Sequence, residues 1–162
     1  MVLKKAMVLA AAAALLVGCE TGPKSQGNVS GGGTGGAAAS GGWVATAQRC
    51  GGERVFFDFD QHDLQPAARR TVECWADYLK SHPSVSILVE GNADERGTRE
   101  YNLALGDRRA NSVKNYLVAL GVNARRVRTI SYGKERPWVP GHNEAAWAKN
   151  RNSKANPSEP GT

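Results

Sequence analysis

The sequence has few cysteines and histidines, three of each among 162 residues, and only one long apolar run. That run, from Ala6 to Val17, is too short to cross the roughly 30 Å core of a bilayer as a stable helix. With 22% charged and 7% aromatic residues the chain is not wholly membrane-embedded, and 41% hydrophobic residues exclude full disorder. The length allows one ordinary domain, or a smaller one with appendages.

A basic stripe interleaved with aromatic residues is also missing, although the net charge is +6. Once Lys4 and Lys5 are set aside, 19 basic residues remain against 15 acidic ones. Several of them stand in scattered pairs such as Arg69-Arg70 and Arg125-Arg126. The charge therefore does not favour a nucleic-acid partner.

Catalytic and metal-binding patterns are sparse as well. His62, His82 and His142 lack metal-ligand spacing, so we expect solvated surface side chains and no cofactor. Asp94 and Glu95 are the candidate hydrolase carboxylates, but adjacent residues rarely flank a scissile bond and no Ser or His is placed to assist them. The sequence therefore predicts a protein that is not an enzyme.

The N-terminal residues have the pattern of an export signal. Lys4 and Lys5 precede the apolar run, which ends in Leu16-Val17-Gly18-Cys19 and resembles the bacterial lipobox. We therefore expect residues 1–18 to be removed and Cys19 to carry acyl chains that anchor the protein. The alternatives are a plain signal peptide with a chance cysteine, or a buried apolar helix.

The rest of the chain divides into three parts by composition. Residues 19–48 hold nine of the 19 Gly among Ser, Thr and Ala, which predicts a flexible tether. Residues 49–151 read as one domain, and residues 152–162 as a polar tail. Of the cysteines beyond Cys19, Cys50 and Cys74 either form a disulfide in an oxidising compartment or are two unrelated buried thiols.

The domain alternates between strand-forming and helix-forming segments. Strands are predicted at 54–59, 85–90 and 127–132 from their β-branched and aromatic residues. Helices are predicted from Pro66 to near Pro83 and from about 100 to 120. This β-α-β-α-β order predicts an α/β fold, a two-layer α+β sandwich. The second helix is expected to pack through Leu103, Gly106, Ala110, Val113, Leu117 and Leu120.

The segment from 91 to 110, Gly-Asn-Ala-Asp-Glu-Arg-Gly-Thr-Arg-Glu-Tyr-Asn-Leu-Ala-Leu-Gly-Asp-Arg-Arg-Ala, strongly resembles the OmpA-like peptidoglycan-binding domain family. Supporting segments lie at 56–60, 131–137 and 141–147, so the resemblance covers about residues 53–151. The lipobox and tether resemble the lipid-anchored members of that family. Glu20 stands where Asp favours retention in the inner membrane of similar lipoproteins, which points to outward sorting.

The resemblance implies an outer-membrane protein whose periplasmic domain binds the diaminopimelate of peptidoglycan stem peptides. The positions that match Asp94 and Arg109 bind diaminopimelate in the family, and Asp60, Arg96 and the backbone near Leu105 line the same site. The resemblance also implies membership of the Tol envelope system, whose TolB propeller binds an overlapping surface. The alternative is an interaction protein that acts mainly through TolB and binds the wall weakly.

The residues themselves agree with that site. Asp94 lies in a loop bounded by Gly91 and Gly97, and Arg109 lies on the helix that follows. A carboxylate and a guanidinium on a rigid frame suit a ligand that carries both an ammonium and a carboxylate. The alternative is that Asp94, Glu95, Arg96 and Arg109 form surface ion pairs, each worth less than about 1 kcal/mol.

The C-terminus departs from the family pattern. Where the family continues after Asn150-Arg151 with a second Arg and an apolar inner strand, this chain has a polar tail with Pro157 and Pro160. Proline is disfavoured inside a sheet, so we expect the final strand to be missing or divergent. The protein would then be weakened, another segment would fill the gap, or the reading frame is altered near Asn152.

Overall fold

The computed structural model describes residues 37–158 of the chain. The predicted signal peptide, Cys19 and the tether up to residue 36 lie outside these residues. In chain order the elements are α1 (Ala37–Arg49), β1 (Arg54–Phe56), α2 (Pro66–Ser81), β2 (Ser86–Asn92), α3 (Arg99–Ala119), a short 3₁₀ turn (Ala124–Arg126), β3 (Val127–Gly133), α4 (Glu144–Asn150) and β4 (Asn152–Ser158).

The four strands of the described residues form one sheet in the order β1-β4-β2-β3. β4 is antiparallel to β1 and β2, whereas β2 and β3 are parallel. One sheet face is buried with α2 and α3 in the hydrophobic core, through Val55, Ile87 and Val127 among others. The predicted α/β fold and its β-α-β-α-β order are therefore confirmed.

The prediction of a missing final strand is wrong. Residues 152–158 form β4, which lies inside the sheet between β1 and β2. Asn152 fits because its side chain has partners: its Oδ1 accepts from Arg54 Nη1 at 2.8 Å and from Asn92 Nδ2 at 3.1 Å. Ser153 and Ala155 are small and fully buried on the helix side. Main-chain ladders, which any residue type except proline can form, supply the rest.

Pro157 is accommodated by the direction in which it faces. The backbone N–H of Ala155 donates to the Glu53 carbonyl at 2.8 Å, so alternate residues of β4 direct their N–H groups toward β1. The backbone nitrogen of Pro157, two residues after Ala155, points to the same side. β1 begins at Arg54, which pairs with Lys154, so β1 has no residue opposite Pro157. No ladder bond to β1 is therefore lost at the proline.

The predicted tether is also corrected over residues 37–48, because this stretch belongs to α1. Trp43 is buried and packs against α2, with ring centroids 6.0 Å from Trp75 and 5.4 Å from Tyr78. Ala47 and Cys50 follow Trp43 at helical spacing and are also buried. The glycine content conceals this apolar stripe in the sequence.

A disulfide joins Cys50, directly after α1, to Cys74 in the middle of α2. The two Cα atoms lie 5.6 Å apart. The bond and the packing of Trp43 together attach α1 to the helical layer.

α3 approaches the sheet closely at glycines. A Cβ placed on Gly106 would lie 2.3 Å from the Ser131 Oγ and 2.8 Å from the Gly91 carbonyl oxygen. The buried face of α3 otherwise follows the prediction through Ala110, Val113 and Leu117. Leu103 differs and is 47% exposed, because here the helix backbone itself meets Gly133.

Candidate functional site

A cavity of about 250 Å³ opens where β1 and β2 end and α3 begins. Its wall consists of Phe59, Asp60, Asp94, Arg96, Gly97, Tyr101, Asn102, Leu105 and Arg109. The structure thus brings together all five peptidoglycan-site residues named from the resemblance: Asp60, Asp94, Arg96, Leu105 and Arg109. Phe59, Gly97, Tyr101 and Asn102 were not predicted to line this site.

Asp94 is the buried carboxylate of the cavity. Its Oδ2 accepts from Arg96 Nη2 at 2.7 Å and from Arg151 Nη1 at 3.3 Å, and its Oδ1 accepts from the Arg96 backbone N–H at 3.1 Å. Burial by itself raises the pKa of Asp94, but the hydrogen bonds from Arg96 and then Arg151 outweigh it and lower that pKa below its ordinary value. Asp94 is therefore ionised at neutral pH.

Arg96 connects the floor of the cavity to its rim. Its guanidinium lies between two aromatic rings, 4.2 Å from the centroids of both Phe59 and Trp147. The hydrogen bond to Asp94 is the main cause that raises the pKa of Arg96. The side-chain amide of Asn102 donates to the Arg96 carbonyl at 2.8 Å, which ties the loop to α3. Arg96 is thus a fixed cation that a ligand reaches from solvent.

Arg109 is a fully buried cation behind the cavity wall. It donates to three main-chain carbonyls: Nε to Gln61 at 2.8 Å, Nη1 to Asn92 at 2.9 Å and Nη2 to Asp58 at 3.1 Å. Burial is the main cause that lowers the pKa of Arg109, to about 10, so the group stays charged at neutral pH. Three of its five N–H bonds are used in this way, which joins the loop after β1 to the end of β2.

Arg151 is a second buried cation that sequence analysis did not assign to the site. Its Nη1 contacts Asp94, its Nη2 donates to Glu144 Oε1 at 2.7 Å and its Nε donates to the Phe57 carbonyl at 3.1 Å. Phe57 and Asp94 lie 94 and 57 positions from Arg151 in sequence, so no local pattern pairs them with it. The one sequence signal for Arg151 was that it is the last residue covered by the family resemblance.

Asp60 and Tyr101 form the opposite rim. The Tyr101 hydroxyl donates to Asp60 Oδ1, and this hydrogen bond is the main cause that raises the pKa of Tyr101. Asp60 has a φ of 58°, in the left-handed region that non-glycine residues seldom adopt. Such a backbone persists only where the surroundings hold it, and it places this carboxylate at the cavity.

Glu95, the neighbour of Asp94, does not line this cavity. Its carboxylate accepts from Trp147 Nε1 at 2.8 Å and contacts His142 Nδ1 at 2.7 Å. These hydrogen bonds, led by that of Trp147, lower the pKa of Glu95. The Lys134 Nζ donates to the carbonyls of Glu95 and Gly97 at 3.2 and 2.7 Å. The hydrolase alternative, which needs both carboxylates at one site, is therefore not supported by the geometry.

The surface ion-pair alternative holds only in part, because Asp94 pairs with Arg96 at 2.7 Å but is buried and not at the surface. Asp94 and Arg109 are both buried, and no carboxylate of residues 37–158 lies within 4.0 Å of an Arg109 nitrogen. The cavity instead combines carboxylates from Asp60 and Asp94, cations from Arg96 and Arg109, and apolar walls. This arrangement suits a small ligand that carries both an ammonium and a carboxylate.

The described part of the chain has neither a metal-binding cluster nor a membrane-spanning helix. No group of three or more His, Cys, Asp and Glu side chains there is arranged to hold a metal ion. Within the same residues, none of the helices combines the length and apolar character needed to cross a membrane.

Known proteins share the sequence pattern and the fold of this chain. Residues 56–151 match the OmpA family. The peptidoglycan-associated lipoprotein of Haemophilus influenzae is 42% identical over 147 residues, which cover 91% of this chain and 93% of that protein. The crystal structure of the peptidoglycan-associated lipoprotein from Burkholderia pseudomallei is 45% identical with a TM-score of 0.65, over 67% of this chain and 92% of that one.

A more distant structure shares the fold. The C-terminal domain of Helicobacter pylori MotB is 23% identical with a TM-score of 0.62, over 67% of this chain and 85% of that one. At that identity the likeness shows the fold alone. The family match and the full-length similarity go further: this chain belongs to the OmpA family.

Proposed function

We propose that this chain is a lipid-anchored outer-membrane protein that binds peptidoglycan without covalent linkage. Acyl chains on Cys19 hold one end in the membrane, and the cavity holds the diaminopimelate of a stem peptide at the other. The protein thereby tethers the outer membrane to the cell wall and performs no catalysis. The disulfide between Cys50 and Cys74 agrees with a periplasmic domain, because disulfides persist in oxidising compartments.

The observation that carries the proposal is the pairing of opposite charges in one cavity. The free end of diaminopimelate bears an ammonium and a carboxylate on one carbon. Asp60 and Asp94 attract the ammonium, and Arg96 attracts the carboxylate with Arg109 as the positive floor. The relatives from Haemophilus influenzae and Burkholderia pseudomallei, named as associated with peptidoglycan, support the same ligand class.

Binding to purified peptidoglycan sacculi tests the proposal. The unacylated chain with Cys19→Ser should sediment with sacculi, and Asp94→Asn should weaken binding at least about tenfold, because loss of a buried charged partner costs 2–5 kcal/mol. Asp77→Asn is the matched control, since Asp77 is an exposed carboxylate on α2. Undiminished binding by Asp94→Asn would contradict the site.

The ligand chemistry needs a second measurement. Calorimetry with stem peptides that end in diaminopimelate or in lysine separates the two charges, since lysine lacks the second carboxylate. We expect the lysine peptide to bind at least about tenfold more weakly, because a charge-assisted contact is lost. Equal binding of both peptides would leave peptidoglycan binding intact and reject the diaminopimelate assignment.

The same rim supports a role in the Tol–Pal envelope and cell-division system. Phe59 and Tyr101 are exposed apolar side chains that line the cavity, and such residues are typical of protein-binding surfaces. We propose that TolB binds there and competes with the stem peptide. Displacement of TolB by the diaminopimelate peptide is the expected result, and simultaneous binding of both would contradict the overlap.

A further inference from the structure

The sheet face that points away from α2 and α3 carries exposed apolar side chains on its two edge strands, β1 and β3, and charged side chains on the strands between them. Phe56 and Ile130 are 43% and 38% exposed on this face, and Trp138, 47% exposed, packs over Phe56 with ring centroids 6.0 Å apart. The Arg54 guanidinium lies 4.7 Å from the Trp138 ring. Trp138, Phe56 and the Arg54 cation are thus grouped in solvent at one edge of the sheet, and Ile130 is exposed at the other edge.

The strand register places these residues on one face. Arg54 pairs with Lys154, Lys154 with Glu90, and Glu90 with Ile130, so this row crosses all four strands. Phe56 lies two residues after Arg54 in β1, and Arg128 lies two residues before Ile130 in β3. Because side chains alternate along a strand, both are on the same face as the row. We call the set of Arg54, Phe56, Arg128, Ile130 and Trp138 the open face.

The charge of the open face has one predominant sign. Arg128 is exposed, and Arg136 stacks on Tyr132 at 3.9 Å next to Ile130 in β3. Glu90 is the acidic residue of the row, and Lys154 beside it also contacts the Glu53 carboxylate at 3.5 Å, so the positive excess comes from Arg54, Arg128 and Arg136. A Trp packed with an exposed Phe and an Arg, with further Arg and Lys on the same face, is a composition that favours the interface of a bilayer with anionic headgroups.

The length of chain before α1 keeps the domain near a membrane. Residues 20–36 are 17 residues between Cys19 and Ala37. Even fully extended, that many residues span at most about 60 Å, whatever their conformation. An acylated Cys19 therefore confines the open face to a thin layer beside the bilayer, where even a weak affinity for the surface is enough for contact.

The binding cavity is left free by such contact. None of the residues that line it belongs to the open face, because the cavity lies at the ends of β1 and β2 beside α3. A domain that rests on the open face can therefore keep its cavity accessible.

We infer that the open face docks onto an anionic phospholipid surface, with Trp138 and Ile130 in the headgroup layer and Arg54 and Arg128 against phosphates. The inference rests on the proposed lipid anchor, which supplies the membrane. It adds a second attachment to the bilayer, made by the folded domain itself.

Vesicle co-sedimentation of the unacylated chain with Cys19→Ser tests this attachment without the anchor. Binding is expected to vesicles of phosphatidylethanolamine with phosphatidylglycerol, to fall in high salt, and to be absent with phosphatidylcholine alone. Arg128→Ala should weaken it about fivefold, since each basic residue near an anionic surface contributes about that factor. The fluorescence of Trp138 should shift to shorter wavelength on binding, and Trp138→Ala should abolish the shift.

Matched controls remove an equivalent group from other surfaces. Arg125→Ala takes away an exposed cation and Val118→Ser an exposed apolar side chain of α3, and both should bind vesicles like the parent. Equal weakening by the controls, no vesicle binding, or a dimer that Trp138→Ala dissociates would each overturn the inference. Sacculus binding is measured on the same samples. If vesicle binding fails while sacculus binding is retained, the membrane inference is wrong and the proposed function stands.

Discussion

At the scale of the residue, two cations of the cavity have different tasks. Arg96 is partly exposed, held between Phe59 and Trp147, and meets the ligand from solvent. Arg109 is fully buried, and it donates to main-chain carbonyls of the loop after β1 and of the last residue of β2. Arg109 therefore acts first on the shape of the cavity and second, through its charge, on the ligand.

Replacement of Arg109 should accordingly affect stability before binding. Arg109→Met keeps much of the volume but leaves the carbonyls of Asp58, Gln61 and Asn92 without their donor. We expect the free energy of unfolding to fall by about 3 kcal/mol, the usual cost of unpaired buried groups. Urea denaturation measures it, with the exposed neighbour Arg108→Met as control. A loss no larger than that of the control would show that the carbonyl contacts are not needed.

The lowered pKa of Asp94 predicts how the free energy of unfolding changes at acid pH. A carboxyl whose pKa is lower in the folded state stabilises the protein fully above its unfolded value, near 3.8, and loses that contribution as the pH falls through the folded value. The difference in unfolding free energy between the parent and Asp94→Asn should therefore shrink below pH 3.8. Denaturant titrations from neutral to acid pH measure it, with Asp77→Asn as control. A difference that stays constant with pH would contradict the assignment.

At the scale of the element, α3 is positioned by glycine. Gly106→Ala would place a Cβ 2.3 Å from the Ser131 Oγ and 2.8 Å from the Gly91 carbonyl oxygen, so helix and sheet must separate. Overpacking of this kind costs about 1–3 kcal/mol, and displacement of α3 should also weaken peptidoglycan binding. Thermal denaturation and sacculus binding check both effects.

Gly42→Ala is the contrasting substitution. A Cβ there would lie 3.5 Å from the Tyr78 hydroxyl, an ordinary contact, and alanine is favoured in a helix by about 0.5–1 kcal/mol. The melting temperature should therefore rise slightly for Gly42→Ala and fall for Gly106→Ala. Equal effects would mean that the close approach of α3 is not what requires Gly106.

Local pattern predicted the elements whose own residues encode them. α2 and α3 were expected from Pro66 and from about residue 100, and they are found at Pro66–Ser81 and Arg99–Ala119. β4 was missed because its strand character comes from distant partners, such as the contact between Asn152 and Arg54. The site residues were named by resemblance, whereas Arg151 escaped because Asp94, its partner, lies 57 positions earlier.

At the scale of the whole molecule, the parts that sequence analysis assigned to the ends complete the domain. β4 joins β1 to β2, and α1 covers Trp75 and Tyr78 on the helical layer. The disulfide between Cys50 and Cys74 connects α1 to the remainder across a separation of 24 residues. Stability therefore depends on both ends of residues 37–158.

Removal of the disulfide measures this dependence. A cross-link that closes a loop of this size stabilises a protein by about 3 kcal/mol on the chain-entropy model. The double variant Cys50→Ser and Cys74→Ser should unfold at correspondingly lower denaturant concentration, and reductant should lower the parent to the same value. Reductant should leave the double variant unchanged. A parent insensitive to reductant would contradict a stabilising bridge.

The position of that bridge has a mechanical consequence. Tension that enters the chain ahead of Ala37 is applied first to α1, whose 13 residues would lengthen by about 2 Å each on unravelling. The pull then arrives at Cys50, where the covalent bond to Cys74 diverts it into α2 and away from the short strand β1. Unravelling of α1 therefore lengthens the chain by about 25 Å, and the disulfide limits the extension to that length. The sheet that shapes the cavity is loaded only after α1 has unravelled.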